Sequence, residues 1–187
     1  MSEPALQTEP LTTWRDFVAL PDDDRRELVD GELLALEVPT DLHEHIVLTI
    51  GFFLKLWARP RQALVMASNY RVRISPRRGF LPDVQLYLAG NPARGQQQGL
   101  EHGHPDLAVE VMSVGSVRHD RVLKRESYAR IGVPEYWIVD PEARIIERLV
   151  LRDGFYSIAQ ASSDGEIFMP ASFEGLEIPL AELWVLP

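Results

Sequence analysis

Two carboxylates occupy surroundings that do not suit them. Asp83 follows Pro82 at the head of the apolar run Val84–Leu88, and Glu110 interrupts the apolar run from Leu107 to Met112. An ionised carboxylate inside a buried strand costs several kcal/mol unless it is paired or bound to a cation. If the two segments are neighbouring strands, Asp83 and Glu110 meet at one end of a sheet. Two carboxylates plus water suit Mg²⁺, a hard cation that prefers oxygen ligands. The competing reading is that each carboxylate satisfies local backbone or an arginine. Lys124 is the third candidate, because the chain has 17 Arg but only two Lys, Lys55 and Lys124. On a helix Lys124 shares a face with Tyr128 and Ile131, which can turn it inward. A compact ammonium can neutralise charge building on a phosphate or orient a nucleophilic water. Its alternative is an exposed lysine pairing with Asp120 at i−4.

These groups need elements to hold them. Thr12 or Thr13 caps a short helix reaching Leu20, and Glu27–Leu36 reads as a hairpin about Asp30-Gly31. Pro39-Thr40-Asp41 caps a helix over 42–58, with Ile46, Ile50, Phe53, Leu54 and Trp57 at helical spacing. A strand is predicted over Ala63–Ile74, a turn at 76–79, and a strand at Val84–Leu88. The segment 89–105 reads as a long surface loop. Leu107–Met112 is a buried strand, 117–131 a helix ending at Gly132, and Glu135–Val139 another buried strand. Arg144–Leu151 and Phe155–Ala159 form a hairpin about Asp153-Gly154. This order predicts an α+β protein with a mixed central sheet flanked by helices and extra β-hairpins at both ends, not a doubly wound fold. Residues 1–10 read as a flexible tail and 11–187 as a single domain.

Composition sets outer limits. The 187 residues include 28 acidic and 19 basic side chains, a formal net charge of −9, which argues against tight grip on a polyanion. The charge is unevenly placed, however. Residues 1–44 hold 12 acidic and 3 basic residues, 45–134 hold 6 and 13, and 135–187 hold 10 and 3. The basic middle offers Arg71, Arg73, Arg77, Arg78 and Arg121 as candidate DNA contacts, provided they are not tied up by the acidic ends. With no cysteine, disulfides and thiolate chemistry are excluded. No secretory signal or bilayer-length apolar stretch is present, so a cytoplasmic location without membrane contact is expected.

Taken together, Pro82-Asp83 followed by Pro105 to Ser113 resembles the acidic core of the PD-(D/E)XK nuclease superfamily. More closely, the chain resembles the Uma2 family of restriction-endonuclease-like proteins. Supporting motifs are Glu27–Glu32, His43 opening a helix, Asp120 with Lys124 and Tyr128, and Gly132–Pro141, covering roughly 25–142 in matching order. Residues 143–187 then read as a C-terminal β extension. The resemblance implies a restriction-endonuclease-like core and Mg²⁺- or Mn²⁺-dependent hydrolysis of DNA phosphodiesters, with Asp83 and Glu110 on the metal and a lysine completing the site. The position two after Glu110 is Met112, which cannot act as that lysine, so Lys124 must reach the same place. Supporting candidates are Glu44 and His43 on the preceding helix, Glu32 in the hairpin, and Asp120. The competing class is a catalytically inactive nuclease-fold protein serving as an interaction module for nucleic acid or protein. The apolar C-terminal strands also suggest a homo-oligomer.

Overall fold

The computed structural model describes residues 11–67, 70–96, 99–113 and 115–186. The expected tail at 1–10 lies outside the described residues. Helix α1 (Trp14–Val18) starts where Thr13 and Asp16 form a reciprocal capping box, and it buries Trp14 and Phe17. Strands β1 (Glu27–Val29) and β2 (Glu32–Leu34) follow, joined by Asp30 and Gly31 with φ of 52° and 90°. Two successive positive φ values are the mark of a tight hairpin turn. Helix α2 (Asp41–Ala58) is capped by Thr40, whose hydroxyl accepts the His43 N–H.

Strands β3 (Leu64–Ala67), β4 (Val72–Ser75), β5 (Arg78–Phe80), β6 (Val84–Tyr87) and β7 (Leu107–Val111) come next. A π-helical turn (His119–Lys124) runs directly into helix α3 (Arg125–Ile131), which ends at Gly132 with φ of 87°. Strands β8 (Glu135–Asp140), β9 (Ile145–Arg152) and β10 (Phe155–Ser163) complete the large sheet, and β11 (Ile167–Phe168) pairs with β12 (Ile178–Pro179).

The six-stranded sheet runs in the order β10-β9-β8-β7-β6-β3 and is antiparallel except between β7 and β8. That parallel pair requires a crossover, and the π turn with α3 supplies it. The small sheet runs β2-β1-β5-β4. Alternation along β7 sorts the two faces of the large sheet. Leu107, Val109 and Val111 face a core with α2 and the C-terminal segment, whereas Ala108 and Met112 face a core with Tyr128 of α3 and Phe80 of the small sheet. Glu110 has the parity of Ala108 and Met112, so it is buried on the α3 face.

The architecture is the expected α+β one, with four local corrections. The single strand expected over Ala63–Ile74 is two strands in different sheets, β3 against β6 and β4 against β5. The polar pair Ser68-Asn69, a turn signal, lies outside the described residues. The turn expected at 76–79 contains the start of β5. Gly79 sits in that strand because Trp14 packs on it, and a Cβ there would lie 2.6 Å from Trp14 Cζ3. Finally, the uniform helix expected over 117–131 opens with a π turn. The segment 89–105 is not wholly a surface loop, since Ala93 and Leu100 are buried and Leu100 bridges Val72.

Candidate functional site

The register of β6 on β7 pairs Val84 with Val109, which brings Asp83 beside Glu110 at the end of the large sheet. Asp83 Oδ2 accepts the Val111 N–H at 2.8 Å. Lys124 rises from the π turn and donates to Glu110 Oε2 at 2.8 Å. Its Nζ also lies 3.1 Å from Glu27 Oε1 and 3.5 Å from Asp120 Oδ1. The Tyr128 hydroxyl, one turn on, donates to Glu110 Oε1 at 2.8 Å. Asp83, Glu110, Asp120 and Lys124 all line one cavity of about 320 Å³, together with His43, His119 and Arg25.

Burial and charge are in conflict throughout this cluster. Glu27, Glu110, Asp120 and Lys124 are each no more than 3% exposed. Burial pushes the Glu110 carboxyl well above the ordinary range; Lys124 opposes this, while Asp83, Asp120 and Glu27 add to it. Burial also raises Asp120 against the pull of Lys124. Glu27 goes the other way, because Lys124 and His119 outweigh its desolvation and hold it below the ordinary range. For Lys124 itself, burial opposes the charge, but Glu110, Glu27, Asp120 and Asp83 overcome it and the ammonium is held well above its usual value. Lys124 therefore contacts three carboxyl groups at once, Glu110, Glu27 and Asp120, with Asp83 beside Glu110.

Met112 is buried in the core with Tyr128 and Tyr136, and its N–H donates to Val139 O. The lysine comes instead from the crossover. A π turn widens the helix locally and is frequent at functional sites; here it carries both Asp120 and Lys124 inward.

The supporting candidates divide. Asp120 belongs to the cluster, and the Ser116 hydroxyl donates to its Oδ2. His43 lines the cavity with Nε2 at 3.5 Å from Asp83 Oδ2. Burial alone would lower the His43 pKa, but Asp83 and Glu44 raise it above the ordinary value. His43 Nδ1 sits 3.5 Å from Glu44 Oε1, an electrostatic contact too poorly aligned to count as a hydrogen bond. Glu44 is 44% exposed, 3.8 Å from Arg25, and outside the cavity lining. Glu32 is exposed on β2, opposite Val29, and does not join the site. His45 turns away from His43, its Nε2 lying 2.9 Å from Glu182 O.

Glu27 and His119 are the residues the sequence reading passed over. Glu27 is fully buried; it accepts the Leu81 N–H at 2.9 Å and contacts His119 Nε2 at 2.6 Å. The available signal was its place in the Glu27–Glu32 motif. Arg25, two residues earlier, was likewise missed as a cation at the cavity.

Among the candidate DNA arginines, Arg71 requires correction. Arg71 is buried, donates to the Pro21 and Asp24 carbonyls, and stacks on Phe17. It holds the 21–24 segment and presents nothing to a ligand. Arg73 pairs with Glu101, Arg78 bonds Asp30 and Ser127, and Arg121 bridges Glu147 and Asp140. Arg77 is exposed. None of these five lines the cavity.

A mixed sheet with one parallel pair, a crossover helix on one face and a carboxylate–lysine cluster at the strand ends define a restriction-endonuclease-like α+β protein. The Uma2 family model, described as "Putative restriction endonuclease", matches residues 14–181, and the chain belongs to that family. The fold is similar to a crystal structure described as "a putative nuclease belonging to DUF820" from Anabaena variabilis ATCC 29413. The TM-score is 0.72 at 15% identity, over 92% of this chain and 97% of that one. No curated protein matches the chain. Among the described residues no helix is long and apolar enough to cross a membrane.

The donor set fits a hard divalent cation. Among the described residues no three His, Asp or Glu side chains form a ready-made metal cage. Mg²⁺ does not require one, since it keeps several waters and takes one or two carboxylates plus substrate phosphate. Asp83 and Glu110 would supply those carboxylates.

Proposed function

We propose that the chain is a divalent-cation-dependent nuclease that hydrolyses DNA phosphodiester bonds, with Asp83, Glu110 and Lys124 at its centre. The observation that carries this reading is Lys124 Nζ at 2.8 Å from Glu110 Oε2, on the carboxylate that neighbours Asp83. It supplies the lysine that Met112 cannot. Asp83 and Glu110 would hold Mg²⁺ or Mn²⁺, which when bound polarises a phosphate and lowers the pKa of a water. Lys124 stays charged beside Glu110 at the cavity lining, where it would stabilise negative charge growing on a phosphate oxygen. Tyr128 fixes the other Glu110 oxygen, so the carboxylate is held in one orientation before substrate arrives. His43 presents a ring nitrogen at the rim, close to Asp83, where it can hold a proton.

A second reading, a catalytically inactive nuclease-fold module for protein contacts, has one specific support: Arg71, Arg73, Arg78 and Arg121 are committed to partners within the chain, which leaves fewer cations for a phosphate backbone. Incubation of plasmid and single-stranded DNA with Mg²⁺ or Mn²⁺ separates the two. Cation-dependent cleavage that falls at least ~100-fold in both Asp83→Ala and Lys124→Ala is expected. Folded protein that cleaves neither DNA form with either ion overturns the nuclease reading in favour of the module.

A further inference from the structure

Lys55, the other of the two lysines, points away from this site. It lies on the solvent face of α2 beside Leu48, Phe52 and Leu56, which are 69%, 58% and 54% exposed. At 100° per residue, Phe52 is directly opposite the buried ridge of Ile46, Ile50, Leu54 and Trp57. The outer stripe reads, from N- to C-terminus, Asp41, Leu48, Phe52, Lys55 with Leu56, and Arg59. It is acidic at one end, apolar in the middle and basic at the other, and all six residues are exposed.

Such a stripe is complementary to itself when reversed. We propose that α2 is the interface of a homodimer, two copies packing antiparallel about a two-fold axis level with Ile50. In that register Leu48 meets Phe52 of the second copy, and Asp41 meets Arg59, each contact occurring twice by symmetry. Glu44 then falls one helical step from Lys55, a second pairing of opposite charge. This proposed interface lies on α2 and is separate from the C-terminal strands named in the sequence reading. It does not depend on the proposed nuclease activity.

The test is the molar mass in solution by light scattering across a concentration series, with circular dichroism as the folding control. The wild-type chain should be a dimer, and Phe52→Glu a folded monomer. Asp41→Arg and Arg59→Asp should each raise the dimer dissociation constant roughly tenfold, and the double reversal should restore it. A wild-type monomer at every concentration overturns the proposal. A dimer unaffected by Phe52→Glu moves the interface off α2. Singles that weaken the dimer without rescue by the double reversal overturn the antiparallel register.

Discussion

The candidate site holds a lysine and three carboxylates out of water in mutual contact. Glu27 is the carboxylate of the three whose charge is favoured by its surroundings, and it ties Lys124 on one side to His119 on the other. Its position 3.1 Å from Nζ makes it a positioning residue for Lys124. Glu27→Gln keeps the shape but removes the charge, so it should lower stability by ~1–3 kcal/mol, as measured by urea unfolding. An unchanged midpoint would show that the contact carries little energy. Asp83, Glu110 and Lys124 were legible in the sequence because each is the wrong residue type for its place: an acid in an apolar run, or a rare lysine on an inward face. Glu27 was not legible in this way. It follows Arg25 and Arg26 at the start of a short strand, and its burial comes from β1 docking with β5, some fifty residues along the chain. Arg71 failed for the mirror reason. Its composition marked it as surface charge, while tertiary packing stacked it on Phe17 and gave its donors to backbone carbonyls.

Among the elements, periodicity located α2 and the β7, β8 and β9 strands, and cap and turn chemistry located α1 and the first hairpin. What periodicity does not encode is which sheet a strand joins, so β3 and β4 merged into one expected strand. A π turn is likewise invisible to a pattern of period 3.6, although here it delivers Asp120 and Lys124 to the cavity. The connection from α1 to β1 is fastened by charge. Asp24 is held down to about 2, chiefly by its hydrogen bonds from the Arg26 guanidinium, and its backbone carbonyl accepts from Arg71. A carboxyl lowered on folding adds stability above its unfolded value, and that contribution disappears as pH falls through the folded one. Asp24→Asn should therefore melt below the wild type near pH 6, with the gap closing between about pH 4 and pH 2. A gap that stays constant across that range would show that the Asp24–Arg26 charge contributes nothing to folding.

For the molecule as a whole, the net charge of −9 proved a poor guide in both directions. It discouraged a polyanion substrate, yet several of the carboxylates are gathered in one cavity beside Lys124. The basic middle encouraged such a substrate, yet most of its arginines are paired within the chain. Folding thus redistributed the charge pattern: anionic groups gathered at the site, and Arg25, from the acidic N-terminal block, became the arginine at its edge. The fold class and the three central residues followed from local sequence, whereas the electrostatic surface depended on which elements pack together. Cation binding by Asp83 and Glu110 together, beside Lys124, is what the proposed chemistry requires. Calorimetric titration of the folded protein with Mn²⁺ measures this directly. One ion per chain is expected for the wild type, with affinity at least ~10-fold weaker in Asp83→Asn. No binding by the wild type, or equal binding by the folded variant, would contradict it.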